Sequence, residues 1–410
     1  MHGSFPGEVG LVAIAVPADH IEQAVEESLA RGATAIVGIS TGLGESGAEG
    51  KRREQALARR VREAGAVLLG PNCLGVFDSG SGLELSSNPL PSGRVAFISQ
   101  SGNLSLELAQ LLVEHSLGFS RFASLGNQAD LEAADLVRGC IAHDGTDAIA
   151  VYAEDFRDGR RFVAAAREAV DAGKPVVLLT VGAGEASARQ AQSHTGSMVS
   201  SSAVVDAACH DAGIIRVHTP QEMVDVLAQL CAVSRVAGPR IAVLTDGGGH
   251  ASIAADVAEA AGLVVPHFSP ELSGQVARFL PATASTVNPI DVAGGGEQDI
   301  SCFASVADVV LASGEVDALV MSGYYGGYGV YGGELEIGEI RTATRLTEVA
   351  RSTGRAIAVH SMYPTSPAAT ELRHGGVPVY RGVEGAVRSL AAAILRPDLD
   401  PLASGLKPVD

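Results

Sequence analysis

Tryptophan is absent from the 410-residue sequence, and aromatic residues together make up only 4% of it. Lysine occurs only at positions 51, 174 and 407, so the basic residues are almost all arginines. Apolar residues reach 46% and are mainly alanine, valine, leucine and isoleucine, accompanied by 49 glycines. This mixture favours tightly packed α/β layers over an aromatic-rich binding surface.

Cysteine is also sparse, and the five cysteines contain no CxxC pair. Their odd number and wide spacing argue against a disulfide framework and against a zinc site, so we assign no metal ligands. Reduced thiols of this kind fit a cytoplasmic protein best. The cysteines are Cys73, Cys140, Cys209, Cys231 and Cys302.

No apolar run reaches the roughly 18 residues that a membrane span needs. Residues 1–10 lack the basic and apolar regions of a signal peptide. The formal net charge is −18. Because such a chain repels phosphate backbones and anionic lipid, the charge argues against nucleic-acid and membrane-surface functions.

One common active-site motif, the P-loop G-x-x-x-x-G-K-[ST], is missing from the sequence. Gly42–Gly47 does match the dinucleotide pattern G-x-G-x-x-G. However, the helix behind it starts late, and no acidic residue ends the next strand, Val67–Leu69. We therefore favour a plain loop over a nucleotide site there.

Short apolar runs alternate with amphipathic stretches along almost the whole chain, which is typical of βαβ units. We predict an α/β protein of three Rossmann-like or flavodoxin-like domains with mainly parallel sheets. They span residues 1–90, 91–236 and 237–397, and 398–410 forms a tail. Asp78–Gly93 is rich in Ser, Pro and Gly and is predicted to be a linker.

The apolar runs predict strands and the 3.6-residue patterns predict helices. The strands are Leu11–Val16, Ala35–Ile39, Val67–Leu69, Val95–Ile98, Phe122–Ser124, Ala148–Tyr152, Val176–Leu179, Ile214–Val217, Ile241–Leu244, Ala318–Met321, Ala356–His360 and Val377–Tyr380. The helices are Ile21–Ala30, Lys51–Glu63, Asn103–Glu114, Leu131–Ile141, Arg161–Ala172, Ala203–Ala212 and Glu222–Leu230. Gly323–Gly333, with six glycines and four tyrosines, is predicted to be a long functional or flexible loop.

Ser99-Gln-Ser-Gly-Asn103 follows a predicted strand and opens a helix. Its backbone N–H groups would lie at the positive end of the helix dipole, where phosphate or carboxylate binds readily. An ordinary helix cap is an equally good interpretation from this motif alone.

His194 lies in the polar segment Gln192-Ser-His-Thr-Gly196. An imidazole is nucleophilic at neutral pH when one ring nitrogen is free and the other is oriented by an acceptor. Glu154, at the carboxyl end of a predicted parallel strand, is a candidate orienting group. Local features alone favour an ordinary loop histidine and a solvated strand-end acid.

Gly70-Pro-Asn-Cys-Leu-Gly75 also follows a strand, and Gly, Pro and Asn predict a sharp turn there. Cys73 has no base nearby in the sequence that would activate it as a nucleophile. From the residues alone, this segment is a structural turn.

Taken together and in order, these segments resemble the NDP-forming acyl-CoA synthetases, whose relatives include the succinyl-CoA synthetase alpha subunit. Ser-His-Thr-Gly at this distance from Ser-Gln-Ser-Gly is the most specific part of the resemblance. The matching segments are Val12–Pro17, Gly70–Gly75, Ser99–Asn103, Ser124–Asn127, Glu154, Asp158–Phe162, Ser193–Gly196, Gly213–Val217, Asp246–Gly249 and Asn288–Asp291.

The resemblance implies a three-step reaction. Phosphate attacks an acyl-CoA to give acyl phosphate and CoA, a histidine takes the phosphoryl group, and an ATP-grasp domain transfers it to ADP. The steps also run in reverse to activate a carboxylic acid. By resemblance, His194 is the phosphorylated histidine, oriented by Glu154; Ser101, Gly102 and Asn103 hold the phosphoryl group; and Pro17, Asn72 and Cys73 lie on the CoA side.

Two departures from the family bear on function. The ATP-grasp part is absent, which implies a beta-type partner chain that carries ATP or ADP and Mg²⁺, and hence a hetero-oligomer. The family's first strand and glycine-rich loop are also absent, by roughly 60–80 residues judged by the resemblance, so the first domain is expected to be incomplete. Losing a central first strand would split the remaining strands of its sheet.

The missing first part of the first domain has three explanations: truncation or misannotation, completion by another chain, or loss of CoA binding. We favour truncation. Two alternative functions follow from the resemblance: a non-catalytic binding or regulatory subunit of the same fold, and an acyl-phosphate enzyme with a non-CoA acceptor.

Overall fold

The computed structural model describes residues 9–182, 184–187, 189, 190 and 201–394. The chain divides into two compact units, Met1–Met223 and Val224–Asp410. The division falls within a helix, Pro220–Leu230, earlier in the chain than the boundary predicted near residue 237. From Val224 onward that helix belongs to the second unit, where the Tyr380 hydroxyl donates to the Asp225 carbonyl.

The first unit begins with a three-stranded parallel sheet in the order β1-β2-β3. Its strands are β1 (Leu11–Ile14), β2 (Ala35–Gly38) and β3 (Val67–Leu69). Helices α1 (Ile21–Ala30) and α2 (Ala48–Glu63) cover one face and bury an apolar core.

The three strands of this sheet pair with one another in sequence order, so the expectation of split strands is wrong. Each βαβ crossover moves the chain one position in the same direction, which keeps consecutive strands adjacent. Among the described residues, β1 pairs only with β2.

The outer edge of β3 is closed by residues 129–131 instead of a further strand. The Leu68 N–H donates to Asp130 Oδ2 over 2.8 Å, and the Leu131 N–H donates to the Leu68 carbonyl over 3.1 Å. Arg62 pairs with Asp130 at 3.2 Å. Backbone groups that would otherwise template strand addition are thus satisfied.

A seven-stranded sheet, in the order β10-β9-β8-β6-β7-β4-β5, forms the rest of the first unit. Five of its strands are parallel: β6 (Ser92–Ser99), β7 (Phe119–Ser124), β8 (Ala148–Ala153), β9 (Val176–Thr180) and β10 (Ile215–Val217). Its helices are α3 (Gly102–Glu114), α4 (Ala133–Ile141), α5 (Gly159–Asp171) and α6 (Ser202–Ala212).

The stretch predicted as a linker, Asp78–Gly93, contributes instead to this sheet. Strands β4 (Gly75–Asp78) and β5 (Leu83–Ser86) form an antiparallel hairpin, and β4 pairs with β7. The domain boundary predicted near residue 90 therefore falls inside one sheet. The turn-rich composition was a correct sign of a turn, but the turn joins two short strands of a hairpin.

The second unit contains a five-stranded parallel sheet in the order β12-β11-β13-β14-β15. The strands are β11 (Ile241–Thr245), β12 (Ile290–Asp291), β13 (Ala318–Gly323), β14 (Ala356–Ser361) and β15 (Val379–Tyr380). The helices are α7 (Pro220–Leu230), α8 (Gly248–Ala260), α9 (Pro270–Val276), α10 (Gly295–Gln298), α11 (Cys302–Ala312), α12 (Gly333–Thr353), α13 (Pro367–His374) and α14 (Val383–Ile394).

Two carboxylates, the half-buried Asp246 and the buried Glu339, fix the start of the Tyr/Gly segment that follows β13. Asp246 accepts the Tyr324 N–H over 2.8 Å. Glu339 of α12, only 1% exposed, accepts the N–H groups of Gly326 and Gly329. Burial raises the pKa of Glu339, although these N–H donors oppose the shift. The backbone of this part of the segment is therefore held in one conformation.

Replacing Glu339 with glutamine is expected to lower the free energy of unfolding by about 1–3 kcal/mol. Each Glu339 oxygen accepts one backbone N–H, and an amide offers a single oxygen, so one buried donor loses its acceptor. Urea denaturation measures the loss. Glu334→Gln, at an exposed position of the same helix, is the matched control and should change stability little. Equal stability of both variants would contradict the assignment.

Candidate functional site

The turn after β6 has the predicted strand–turn–helix geometry. Ser101 is the N-cap of α3, and its Oγ accepts the Leu104 N–H over 3.4 Å. Both interpretations of this motif are compatible with the geometry, because the N–H groups of Gly102 and Asn103 have no acceptor among the described residues. Such free N–H groups at the start of a 13-residue helix can donate hydrogen bonds to a bound anion.

Gly102 is required by a neighbouring turn. A Cβ atom at this position would lie 2.9 Å from Leu74 Cγ. Real Cβ atoms do not approach so closely, so the helix start and the Gly70–Gly75 segment can be in contact only because residue 102 is glycine.

Glu154 follows β8 and is tied to the same helix start. The Gln100 side-chain oxygen accepts the N–H groups of Glu154 and Asp155, the latter over 2.9 Å. The Tyr152 hydroxyl donates to Glu154 Oε1 over 3.1 Å. Burial, followed by the nearby Glu154 charge, raises the pKa of Tyr152, so this phenol stays protonated and remains a donor.

Pro17 follows β1 and Asn72 follows β3, and the two segments are linked through Ser40, which follows the strand between them, β2. The Ser40 hydroxyl donates to the Val16 carbonyl over 2.6 Å and accepts the Val16 N–H over 2.9 Å. The Asn72 N–H donates to the Ser40 carbonyl over 2.9 Å. Parallel strands thus bring these two predicted CoA-side residues to the carboxyl edge of the sheet.

Cys73 is oriented away from this edge. Its thiol is buried and donates to the Gly38 carbonyl over 3.2 Å. Burial raises the pKa of Cys73 to about 11, which excludes a thiolate nucleophile near neutral pH. Any contact of Cys73 with a ligand must come through its backbone.

A polar cavity of about 120 Å³ brings two of the predicted residues, Asn72 and Glu154, together. Its other lining groups include several that sequence reasoning did not assign to the site. The lining residues are Gly44, Glu45, Lys51, Glu54, Asn72, Gln100, Gly126, Asn127, Glu154, Asp155 and Arg157.

Asn127 is the most heavily hydrogen-bonded of the unassigned residues. Its Nδ2 donates to Glu45 Oε2 over 2.7 Å and to Glu54 Oε2 over 2.6 Å. Glu54 is 4% exposed, and burial raises its pKa. The missed signal was local: Glu54 shares a helix face with Leu57, Ala58 and Val61, and a carboxylate on an apolar face indicates a specific partner.

The glycine-rich loop at Gly42–Gly47 has its backbone donors occupied. Glu45 accepts the Gly42 N–H, and Glu54 accepts the Gly44 N–H over 3.0 Å. Two carboxylates on these N–H groups repel a phosphate, which supports the plain-loop interpretation over a dinucleotide site.

His194, predicted as the phosphorylated histidine, and the flanking residues 191–200 lie outside the described residues. Within the described part of the chain, no group of three or more His, Cys, Asp or Glu side chains is arranged to hold a metal ion. No helix in that part is both long and apolar enough to cross a membrane.

Comparison with known proteins agrees with this geometry. Residues 2–78 match the model of a CoA binding domain, and residues 92–230 match that of the succinyl-CoA ligase like flavodoxin domain. The chain is 35% identical over 317 residues to the alpha subunit of ADP-forming acetate–CoA ligase II of Pyrococcus furiosus, covering 77% of this chain and 68% of that protein. It is 33% identical over 390 residues to the isoenzyme I alpha subunit from the same organism, covering 94% and 82%.

A solved structure extends the agreement to the fold of nearly the whole chain. The dinucleotide forming acetyl-coenzyme A synthetase 1 of Ca. Korarchaeum cryptofilum, in complex with phosphate and ADP, has a TM-score of 0.84 and 26% identity. The match covers 96% of this chain and 84% of that one. The family and fold implied by the sequence resemblance are confirmed: the chain belongs to the NDP-forming acyl-CoA synthetases and is an alpha-type subunit of such a ligase.

Proposed function

We propose that this alpha-type subunit interconverts acyl-CoA, phosphate and ADP with a carboxylic acid, CoA and ATP, and that His194 carries the phosphoryl group between the two halves of the reaction. The supporting observation is the meeting of three segments at one cavity: Gln100, directly before the N-cap of α3, the Glu154 loop and the Asn72 turn. The helix start that follows Gln100 is assigned to the phosphoryl group, Glu154 to the imidazole ring, and the Asn72 turn to CoA.

The phosphoryl group is assigned to Ser101, Gly102 and Asn103. The N–H groups of Gly102 and Asn103 have no acceptor among the described residues, and they lie at the positive dipole end of α3, so they can stabilise an anion. Glu154, one loop away, can hold an imidazole ring in one tautomer and stabilise its cationic, phosphorylated form. The covalent intermediate divides one difficult transfer into two easier ones.

CoA is assigned to the edge formed by Pro17 and Asn72, with backbone support from Cys73. Pro17 is exposed and Asn72 is partly exposed, so both can meet a substrate. The match of residues 2–78 to a CoA binding domain supports this location. The acyl phosphate then forms between this edge and the α3 N-terminus.

A beta-type ATP-grasp chain is proposed as the partner that binds the nucleotide and Mg²⁺. The names of the Pyrococcus relatives, which are alpha subunits, support a division of the reaction between two chains. No P-loop occurs in the sequence. The cell compartment proposed for this chain, from its scattered cysteines, is the cytoplasm.

The decisive experiment incubates the chain with its ATP-grasp partner and γ-labelled ATP. The expected result is acid-labile, base-stable label on His194, located by peptide mapping. Added carboxylic acid and CoA should discharge the label. A wild-type chain that takes up no label, or that carries it on another residue, would refute the relay.

Glu154→Gln is expected to accumulate phosphohistidine about ten- to a hundredfold more slowly, with the fold retained. The amide keeps the shape and the bond to Tyr152 but loses the charge that favours a cationic ring. Quenched-flow labelling measures the rate. Asp158→Asn, which changes a helix-capping carboxylate in the same region, is the comparison. Unchanged labelling kinetics in Glu154→Gln would argue against its role.

A further inference from the structure

The amide of Asn127 has its orientation dictated by its neighbours. Ionised carboxylates can only accept hydrogen bonds, so Glu45 and Glu54 both require the NH₂ end of Asn127. Glu54 is itself fixed, because its Oε2 also accepts the Gly44 N–H and its side chain is buried. The carbonyl oxygen of Asn127 must therefore point away from the two carboxylates.

That oxygen accepts a hydrogen bond from Asn72 Nδ2 over 3.2 Å. Only a donor can fill this position, so the NH₂ end of Asn72 is fixed in turn. One N–H of Asn72 is used by Asn127. The second has no acceptor among the described residues, and the side chain lines the polar cavity together with Gln100 and Glu154.

We infer that Asn72 donates this second N–H to the carbonyl oxygen of the acyl thioester, and that Asn127, Glu54 and Glu45 are positioning residues that set its orientation. The inference rests on the proposed function. When a phosphate oxygen bonds to the carbonyl carbon and the C–S bond breaks, negative charge develops on the carbonyl oxygen. The departing CoA sulfur takes the proton of the phosphate. A preorganised N–H stabilises the developing charge without reorienting.

Backbone contacts support the arrangement. A Cβ atom on Gly126 would lie 2.1 Å from the Pro71 carbonyl oxygen and 2.6 Å from that of Asn72, so the two turns touch directly. The Asn127 N–H also donates to the Pro71 carbonyl over 2.9 Å. The distance between the two amides is thus set by main-chain atoms.

The test reverses donors and acceptors. Asn127→Asp places three carboxylates together and removes the donor that orders them. The triple variant Asn127→Asp, Glu45→Gln, Glu54→Gln restores complementary pairs, with Gln amides donating to the Asp carboxylate. Two reactions of the holoenzyme are measured for each: CoA release from acyl-CoA with inorganic phosphate, and labelling of His194 from ATP.

The expected result is an approximately hundredfold fall in the turnover number for CoA release in Asn127→Asp, with little change in the KM for acyl-CoA. The triple variant should recover at least about tenfold of the loss. Labelling from ATP should be normal in both, which also demonstrates that each variant is folded. A triple variant no better than Asn127→Asp, or equal loss of both reactions, overturns the inference.

Asn72→Gly is an independent variant that removes the donor itself. Asn72 has a φ of 57°, a backbone conformation that glycine adopts without strain. CoA release should fall as far as in Asn127→Asp, with labelling retained; normal CoA release would overturn the assignment of Asn72. An unlabelled wild-type chain would refute the His194 relay separately, whereas rescue of CoA release by the triple variant would still support the orientation of Asn72.

Discussion

His194→Ala is expected to abolish net ATP formation from acyl-CoA, phosphate and ADP, with a loss of roughly a thousandfold or more. Without the imidazole nitrogen, the acyl phosphate has no nucleophile to receive its phosphoryl group, and water is a poor and unproductive substitute. A coupled assay for ATP in the presence of the partner chain measures this loss.

The same variant should still release CoA from acyl-CoA in the presence of phosphate, because that step precedes phosphoryl transfer to the ring. This separation of the two steps distinguishes a missing nucleophile from a misfolded chain. His210→Ala, at an exposed position of α6, is the matched control and should retain full turnover. Substantial ATP formation by His194→Ala would exclude a phosphohistidine at this position.

Gly126→Ala is expected to lower the stability of the first unit by about 2–5 kcal/mol and to reduce CoA release by more than tenfold. Gly126 has a φ of 54°, which costs alanine about 1–2 kcal/mol. In addition, the new methyl group would overlap the backbone oxygens of Pro71 and Asn72, which cannot move independently of the turn. The two turns must separate, and the Asn72–Asn127 bond lengthens with them.

Chemical denaturation and the CoA-release assay together check this prediction. Gly139→Ala provides the control: Gly139 lies within α4, and a Cβ there meets nothing within 4 Å. That substitution should stabilise the helix by about 0.5–1 kcal/mol and leave activity unchanged. If Gly126→Ala behaved like Gly139→Ala, the close contact between the two turns would be incorrect.

Much of the fold was predictable because parallel strands buried on both faces are continuous apolar runs. Ala148–Tyr152 and Ile241–Leu244, for example, lie within one residue of strands β8 and β11. The β4–β5 hairpin was missed for the converse reason. Its strands are short, only partly buried and flanked by Ser, Pro and Gly, so the sequence resembles a connection more than a sheet.

The candidate site was predictable only in part. The α3 start and Glu154 are local features, since each follows directly from a strand and lies at its carboxyl end. Asn127, by contrast, meets Glu54 across 73 positions of sequence. Local motifs do not encode contacts between residues so far apart in sequence. Such contacts depend on how the strands of two separate sheets are aligned. The family resemblance supplied His194, whereas the orienting chain from Glu54 to Asn72 emerged only from the structure.

The closure of the β3 edge by Asp130 has a consequence for how such proteins are divided and recombined. The matched family models end at residue 78 and resume at residue 92, which suggests a natural point for gene fission or for building chimaeras. Yet the carboxylate that completes the first sheet is at position 130, inside the second match. A hybrid protein joined between residues 78 and 92 would take strand β3 from one parent and the residue at position 130 that closes its edge from the other. Successful exchanges should therefore transfer residues 129–131 together with the first sheet.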